Sequence, residues 1–159
     1  MEWVYSTIAK MRARLPDLAL RTTFIVGYPG ETEQDFQTLL NFIQEMKFDH
    51  LGAFTFSFEE GTTSASLGDP IPLEVKEERL QRLMLLQENI SLSINQTFIG
   101  KTLQVLIEGY QKGISIGRSY RDAPEIDGLV LVEGQAPLDE IVNVQITGAL
   151  THDLTARLI

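Results

Sequence analysis

The segment with the pattern of a ligand-binding turn is Gly27-Tyr28-Pro29-Gly30-Glu31-Thr32, which follows a predicted strand and precedes a predicted helix. Ligands of α/β proteins bind at the carboxyl edge of parallel strands, so a turn at this position can contact a cofactor or a substrate. An ordinary βα turn explains the same residues, with glycines in a tight backbone and Thr32 as a helix cap. The segment is neither a P-loop, because no Gly-Lys-Ser/Thr follows, nor a Gly-x-Gly-x-x-Gly dinucleotide loop.

Other residue types that carry chemistry are scarce. The chain has no cysteine, which excludes disulfides, thiolate zinc sites and any iron–sulfur cluster ligated by this chain. His50 and His152 have no second histidine or paired carboxylate at ligand spacing, so neither is predicted to bind a metal. No convincing Ser-His-Asp arrangement occurs, and no catalytic residue is assigned.

Composition and charge limit the class of protein and of partner. The 159 residues carry a formal net charge of −9, with 43% hydrophobic and 22% charged residues, as in a globular protein of one domain or two small ones. The acidic balance argues against broad binding to a phosphate backbone, which relies on clustered Lys and Arg, and favours a basic partner. The start of the chain lacks the pattern of a signal peptide, and apolar runs such as Leu83–Leu86 are far shorter than a membrane span. We expect a cytoplasmic protein without membrane contact.

Residues 1–94 alternate between helical and strand patterns, which predicts βα units with a parallel sheet. Strands are predicted over 20–26 and 51–56, after a helix that ends at Pro16. A second helix is expected from Thr32, whose spacing to Asp35 is that of a capping box. The last helix is predicted over about 73–98, with these residues on its apolar side: Leu80, Leu83, Leu86, Ile90 and Ile94.

Both predicted strands have a partly polar face. Period-2 alternation in the first strand places Arg21, Thr23 and Ile25 on one face, which is partly polar. It places Phe24 and Val26 on the opposite, apolar face. In the second strand, Thr55 is expected on the polar face, and Phe54 and Phe56 on the apolar one. A sheet face in contact with water explains this pattern, as does a face or barrel lumen that holds a polar ligand. Two βα units cannot close a (β/α)₈ barrel, which takes roughly 250 residues, so barrel material of this size is a fragment.

The pattern changes after residue 98, where short alternating stretches are separated by glycine-rich turns. Five strands are predicted, around residues 102–108, 114–116, 129–132, 141–146 and 154–158. Five short strands in about 60 residues suggest a small, partly open β-barrel of the OB kind, and such barrels bind single strands or extended chains.

Three separated segments carry a specific resemblance. Arg21–Thr32 resembles the late-barrel strand and turn of the radical S-adenosylmethionine methylthiotransferases, and Phe54–Thr62 resembles the next strand and loop of that family. Residues 94–159 resemble its C-terminal TRAM domain, a five-stranded OB-like barrel. Within the family, Gly117–Gly128 is similar to the branch that methylthiolates an aspartate of a small-subunit ribosomal protein. The resemblance covers nearly the whole chain.

The resemblance implies the last βα units of a TIM-like radical S-adenosylmethionine barrel over 1–94 and a TRAM domain over 95–159. It implies S-adenosylmethionine and 4Fe-4S clusters as cofactors, with radical chemistry that inserts a methylthio group. The family's cluster cysteines are absent here, so this chain is predicted to need the N-terminal part of the enzyme and to be inactive alone. The residues predicted to line the cofactor are Arg21, Thr23, Ile25, Gly27 and Thr55.

The chain departs from one motif of the family, so not every residue role of that motif is carried over to this sequence. The family's Gly-x-Ile-x-Gly-x-x-Glu stretch lies along the cofactor, and Ile25 and Gly27 fit it. Thr23 stands in place of the first glycine, and Glu31 falls one residue late, so a direct role for Glu31 is not expected.

Charge gives an independent indication of the branch. Residues 95–159 contain five basic and eight acidic residues, whereas a barrel that grips RNA needs a basic surface. An acidic barrel suits a basic ribosomal protein, although a merely solvated acidic surface has the same charge. The predicted docking residues are Glu59, Glu60, Tyr120, Arg121, Asp122, Glu125 and Asp127. The alternatives are the sister branch that modifies an adenosine in tRNA, and a TRAM binding module without catalytic activity.

Overall fold

The computed structural model describes residues 2–159, which form two compact units. The N-terminal unit extends through Gln87, and the C-terminal unit is Glu88–Ile159. The elements in chain order are α1 (Glu2–Arg14), β1 (Arg21–Val26), α2 (Glu33–Met46), β2 (His50–Thr55), a 3-10 helix (Thr63–Leu67), α3 (Leu73–Gln96), β3 (Thr102–Gln111), β4 (Ile114–Arg118), β5 (Val130–Glu133), β6 (Ile141–Ala149) and β7 (Leu154–Leu158). The boundary between the units falls within α3.

The N-terminal unit contains the predicted βα units, and β1 pairs with β2 in parallel. Helix α2 starts with the predicted capping box: the Thr32 side chain accepts from the Asp35 amide, and the Asp35 carboxylate accepts from the Thr32 amide. Phe42 packs edge-on against Tyr5 and Phe24, with ring centroids 5.2 and 6.3 Å apart. The aromatic side chains of this layer therefore join α1, α2 and the sheet in one core.

The sheet register corrects the predicted faces of β2. Neighbouring strands place paired residues on the same face, and Ile25 pairs with Phe54 while Val26 pairs with Thr55. Phe54 therefore lies on the exposed face with Ile25, and the two side chains are 64% and 56% exposed. Thr55 lies on the opposite face from Arg21 and Thr23. Alternation within one strand cannot tell which of its faces matches which face of the neighbour, and this is why the prediction was wrong.

Helix α3 also differs from its prediction, because its buried side is largely polar. Of the predicted apolar set, Leu83 and Ile90 are buried, and the other three residues are only partly buried. Five polar residues are buried along the helix: Lys76, Arg79, Gln87, Ser91 and Asn95. A helix with this pattern is held by hydrogen bonds and ion pairs as well as by apolar packing, since buried polar groups require partners.

The C-terminal unit is a closed five-stranded barrel in the order β3-β4-β5-β7-β6, where a partly open barrel was predicted. Each strand pairs with two neighbours, and β3 meets β6 to complete the circle. All pairs are antiparallel except β5 with β7. The interior is apolar and contains Leu103, Val105, Ile107, Val130, Val132, Ala136, Val144, Ile146, Leu154 and Ala156. The five predicted strands are confirmed. Within residues 2–159, no helix is long and apolar enough to cross a bilayer.

Candidate functional sites in the two units

The turn after β1 is the first candidate site, and Gly27 is its most constrained residue. Gly27 has φ +73°, a conformation that L side chains rarely adopt. A Cβ atom at this position would collide with the stem of Lys76, so the turn requires glycine for two reasons. The Gly27 amide donates to Glu31 Oε1 at 3.1 Å, and the Glu31 amide donates to the Tyr28 carbonyl at 2.8 Å. These bonds fix the turn at the carboxyl end of β1.

Glu31 links this turn to α3. Its Oε1 atom lies 2.6 Å from the Arg79 guanidinium, which belongs to a residue only 5% exposed. The same guanidinium donates to the Glu31 carbonyl at 3.3 Å and lies over the Phe36 ring, 5.6 Å from the ring centroid. The Glu31 carboxylate thus has a structural partner on each side, the Gly27 amide and the Arg79 guanidinium. Arg79 was not singled out from the sequence, because a charged residue in a helix is usually solvated.

Lys76 performs a similar task at the end of β2. Its ammonium donates to the Phe56 carbonyl at 3.0 Å, pairs with the Asp69 carboxylate and lies 5.4 Å from the centroid of the Phe56 ring. Lys76 is 3% exposed, and its stem covers Gly27. The signal that could have found it is its spacing of three residues from Arg79 on one face of α3.

The predicted cofactor residues are only partly brought together. Arg21, Thr23 and Ile25 share the exposed face of β1. Gly52 of the neighbouring strand lies beside them, since a Cβ atom added to Gly52 would be 3.7 Å from Thr23 Oγ1. Gly27 lies at the end of the same strand. Thr55 is separated from them by the sheet, as its pairing requires.

Glu59 and Glu60 lie exposed in the loop that follows β2. The Glu59 carbonyl accepts from Thr62 Oγ1 at 2.8 Å, which fixes the backbone of this loop while the carboxylate stays at the surface. Tyr28, in the turn after β1, contacts Phe56 edge-on with the ring centroids 5.3 Å apart. The loops after the two parallel strands therefore touch each other, as the fold predicts for a shared carboxyl edge.

The long loop between β4 and β5 is the second candidate site, and two of its carboxylates maintain its shape. Asp122 accepts from the Ser119 amide at 3.1 Å and from the Ser119 hydroxyl at 2.7 Å. Asp127 accepts from the Ala123 amide at 2.8 Å. Glu125, by contrast, is exposed at a positive φ of 63° on the outside of the loop, and Tyr120 is exposed as well.

Arg121 does not belong to the accessible part of this loop, in contrast to its predicted place on a docking surface. It is 6% exposed, and its guanidinium donates to Asn95 Oδ1 at 3.2 Å. The guanidinium also lies 4.1 Å from the centroid of the Phe98 ring. Asn95 in turn donates to the Leu150 carbonyl at 3.1 Å. Arg121 therefore supports the loop from its buried side, where its guanidinium contacts Asn95 and Phe98 rather than the solvent.

The residues present do not fit an iron–sulfur cluster. The chain contains no cysteine, and within residues 2–159 no three His, Asp or Glu side chains are grouped to hold a metal ion. The face of β1 does fit a cofactor with apolar and polar parts, since Ile25 and Phe54 offer apolar surface beside Arg21 and Thr23. The described residues therefore offer no ligand set for such a cluster, whereas the exposed face of β1 offers both apolar and polar groups.

Known proteins match both units of the chain in sequence. Residues 99–159 match the family model described as TRAM domain, so the closed barrel is a TRAM domain. Over 154 residues, the chain is 51% identical to the ribosomal protein uS12 methylthiotransferase RimO of Microcystis aeruginosa, a match that covers 96% of this chain and 35% of the relative. The RimO protein of Heliobacterium modesticaldum is 53% identical over 154 residues, with 96% and 34% covered. That of a Thermus thermophilus strain is 50% identical over 151 residues, with 93% and 35% covered.

The chain is thus homologous to RimO proteins over nearly all of its length and spans about a third of theirs. The predicted resemblance to the ribosomal-protein branch of the methylthiotransferases is confirmed. The relatives described above carry that name and not the name of the tRNA-modifying branch.

Proposed function

We propose that this chain is part of a methylthiotransferase that modifies an aspartate of a basic small-subunit ribosomal protein. The observation that carries the proposal is the identity of about 50% to proteins named uS12 methylthiotransferase, over 154 residues. The N-terminal unit contributes cofactor contacts and the TRAM barrel contributes substrate contacts, in the cytoplasm and away from membranes. Chemistry on the substrate needs cluster ligands from outside this chain, so the chain alone is inactive.

S-Adenosylmethionine is the cofactor that we assign to the exposed face of β1, from Arg21 to the turn at the carboxyl end of the strand. When bound, it supplies the radical chemistry by which the family inserts a methylthio group. Ile25 contacts the adenosine, Gly27 shapes the adjoining turn from a buried position, and Arg21 and Thr23 offer polar groups along the face of Ile25. Thr55 is left out of this set because its pairing with Val26 turns it to the other side of the sheet. The exposed ring of Phe54 takes its place, since it pairs with Ile25.

The first experiment tests both the reaction and the need for the rest of the enzyme. The complete polypeptide that carries this segment is reconstituted with clusters and offered the ribosomal protein or tRNA, and mass spectrometry detects methylthiolation. We expect modification of an aspartate in the protein. The 159-residue chain alone should give none. Modification of tRNA instead of the protein would overturn the proposal.

A variant locates the cofactor. In the complete enzyme, Ile25→Asp should raise the Kd for S-adenosylmethionine by about tenfold, because it places a carboxylate against an apolar part of the ligand. The matched control is Ile141→Asp on β6, a similarly exposed isoleucine of the barrel, which should leave this Kd unchanged. Equal affinity of the Ile25→Asp variant and the unchanged enzyme would move the cofactor away from β1.

We assign docking of the substrate protein to exposed groups, namely Tyr120 and Glu125 of the barrel and Glu59 and Glu60 of the loop after β2. Complementary charge steers association, and an aromatic side chain is a common anchor of an interface. Asp122 and Asp127 hold the loop through its amides, so charge reversal there would alter the loop as well as the surface. The acidic charge of the barrel makes tRNA the less suitable partner.

Association kinetics separate these roles. Glu125→Gln removes one exposed charge while it keeps the size of the side chain, and it should lower the on-rate for the ribosomal protein about twofold at low salt. Tyr120→Ala should raise the off-rate instead. Glu140→Gln, at an exposed acid before β6, is the control for the general effect of charge. An equal loss of on-rate for Glu125→Gln and Glu140→Gln would argue for a diffuse charge effect rather than a docking surface.

A further inference from the structure

Two buried cations on the first turns of α3 have no part in the contacts proposed above. We infer that Lys76 and Arg79 are positioning residues that hold the loops after β1 and β2 in the conformation that receives S-adenosylmethionine. The inference rests on the proposed function, which places the cofactor at this edge. It goes further by naming the side chains that give the edge its shape.

Lys76 joins the ends of both parallel strands. Its aliphatic stem occupies the space beside Gly27, and its ammonium donates to the carbonyl of Phe56. The same ammonium pairs with Asp69, and this ion pair attaches the segment before α3 to the helix. One side chain therefore sets the distance between the turn after β1 and the backbone after β2.

Arg79 acts on the turn through Glu31. The guanidinium orients the Glu31 carboxylate at 2.6 Å, and that carboxylate accepts the amide of Gly27 at 3.1 Å. The hydrogen-bonded sequence Arg79, Glu31, Gly27 thus runs from α3 to the turn that follows β1, beside the exposed face on which Ile25 lies. Charge-assisted hydrogen bonds are short and directional. The ion pair of Arg79 and Glu31 therefore restricts the conformation of the turn more than apolar packing would.

Burial is the reason to assign a positioning role rather than general stabilisation. Buried ion pairs add little stability over apolar side chains of similar volume, because removal of the charges from water offsets their attraction. What the buried charges supply is orientation, since each bonds to a particular atom of a loop. Arg82 lies one turn further along the same helix, over the same Phe36 ring, but it is partly exposed and pairs with surface Glu33 and Glu78. Glu33 also lies 3.8 Å from Arg79 Nε, so Arg82→Gln is the control that removes a cation from the same helix and the same Glu33 but leaves the bond between Arg79 and Glu31.

The test uses the complete, cluster-reconstituted enzyme and S-adenosylmethionine itself. Equilibrium dialysis measures the Kd of Arg79→Gln, Arg79→Lys, Glu31→Gln and Arg82→Gln. We expect Arg79→Gln and Glu31→Gln to raise the Kd about tenfold and Arg79→Lys to recover part of the loss, because a cation remains. Arg82→Gln should bind as the unchanged enzyme does. The double variant Arg79→Gln/Glu31→Gln should lose no more than either single one, because both act on the same amide.

A second measurement separates positioning from loss of fold. Hydrogen exchange without any ligand should show faster exchange of the Gly27 amide in Arg79→Gln, while barrel peptides keep their protection. Iron content and the Kd for the ribosomal protein should not change. An unchanged Kd for S-adenosylmethionine in both Arg79→Gln and Glu31→Gln would overturn the inference, as would equal losses in Arg82→Gln. Failure of the proposed function looks different: Ile25→Asp would then bind the cofactor as well as the unchanged enzyme.

Discussion

The two units use opposite means to fix their backbones. The interior of the TRAM barrel contains aliphatic residues, and each of its strands pairs with two neighbours. In the N-terminal unit, two parallel strands pair with each other, leave Ile25 and Phe54 exposed, and have their ends held by buried Lys76 and Arg79. The comparison teaches that a closed apolar interior can fix a barrel, whereas an open two-stranded sheet keeps apolar groups exposed and has its loops oriented by charged side chains.

The largest expected effect is on the barrel. Ile107→Ala should lower the free energy of unfolding of this unit by about 2–5 kcal/mol, because Ile107 is fully buried and its removal leaves a cavity. Urea unfolding of the 159-residue chain, with hydrogen exchange read by mass spectrometry, reports the two units separately. Ile141→Ala, at an exposed position, should stay within about 0.5 kcal/mol. Equal destabilisation of both units by Ile107→Ala would remove the contrast between them.

A smaller effect is expected from the buried ammonium. Lys76→Met should lower the stability of the N-terminal unit by about 1–3 kcal/mol, since it leaves the Phe56 carbonyl and the Asp69 carboxylate without this donor. The same exchange experiment should find the barrel unchanged. Lys10→Met on exposed α1 serves as the control. A stabilised Lys76→Met chain would mean that desolvation of the ammonium costs more than its bonds return.

The smallest effect is expected at the cap of α2. Hydrogen bonds from Thr32 lower the pKa of Asp35 below its ordinary value. The contribution of the ionised Asp35 carboxylate to folded-state stability is therefore present at neutral pH, and it is lost as the pH falls through the folded-state pKa of Asp35. Thr32→Ala should raise the pKa of Asp35 toward its ordinary value and cost about 1 kcal/mol of helix stability. An NMR titration measures the pKa, and Thr32→Ser should preserve the lowered value; a pKa unmoved by Thr32→Ala would contradict this cause.

Much of the fold could be predicted because its signals are local. The Thr32 and Asp35 spacing predicted the start of α2, and alternation with glycine turns indicated the five barrel strands. The face of Thr55 could not be predicted, because it depends on register with a neighbouring strand. The roles of Lys76 and Arg79 were missed for a similar reason, since the loop atoms that they bond lie 20 and 48 residues away along the chain.

The same limit applies to the candidate sites. The turn at Gly27 was found from its glycines and its position after a strand, both of which are local features. Arg121 has the charge of a docking residue in the sequence, and contacts that the sequence does not reveal, among them those with Asn95 and Phe98, accompany its burial. Asp122 and Asp127 accept from amides three and four residues earlier in the chain, so these side-chain bonds to the backbone are local.

The closure of β3 on β6 has a consequence for how quickly the barrel folds. Thr102 pairs with Gln145, so this contact closes a loop of about 40 residues whose entropy is lost before the contact is gained. Topologies rich in such distant pairings refold in milliseconds to seconds, more slowly than helices with local contacts. We therefore expect refolding of the barrel to limit the recovery of the chain after dilution from urea, with α1 and α2 regained first.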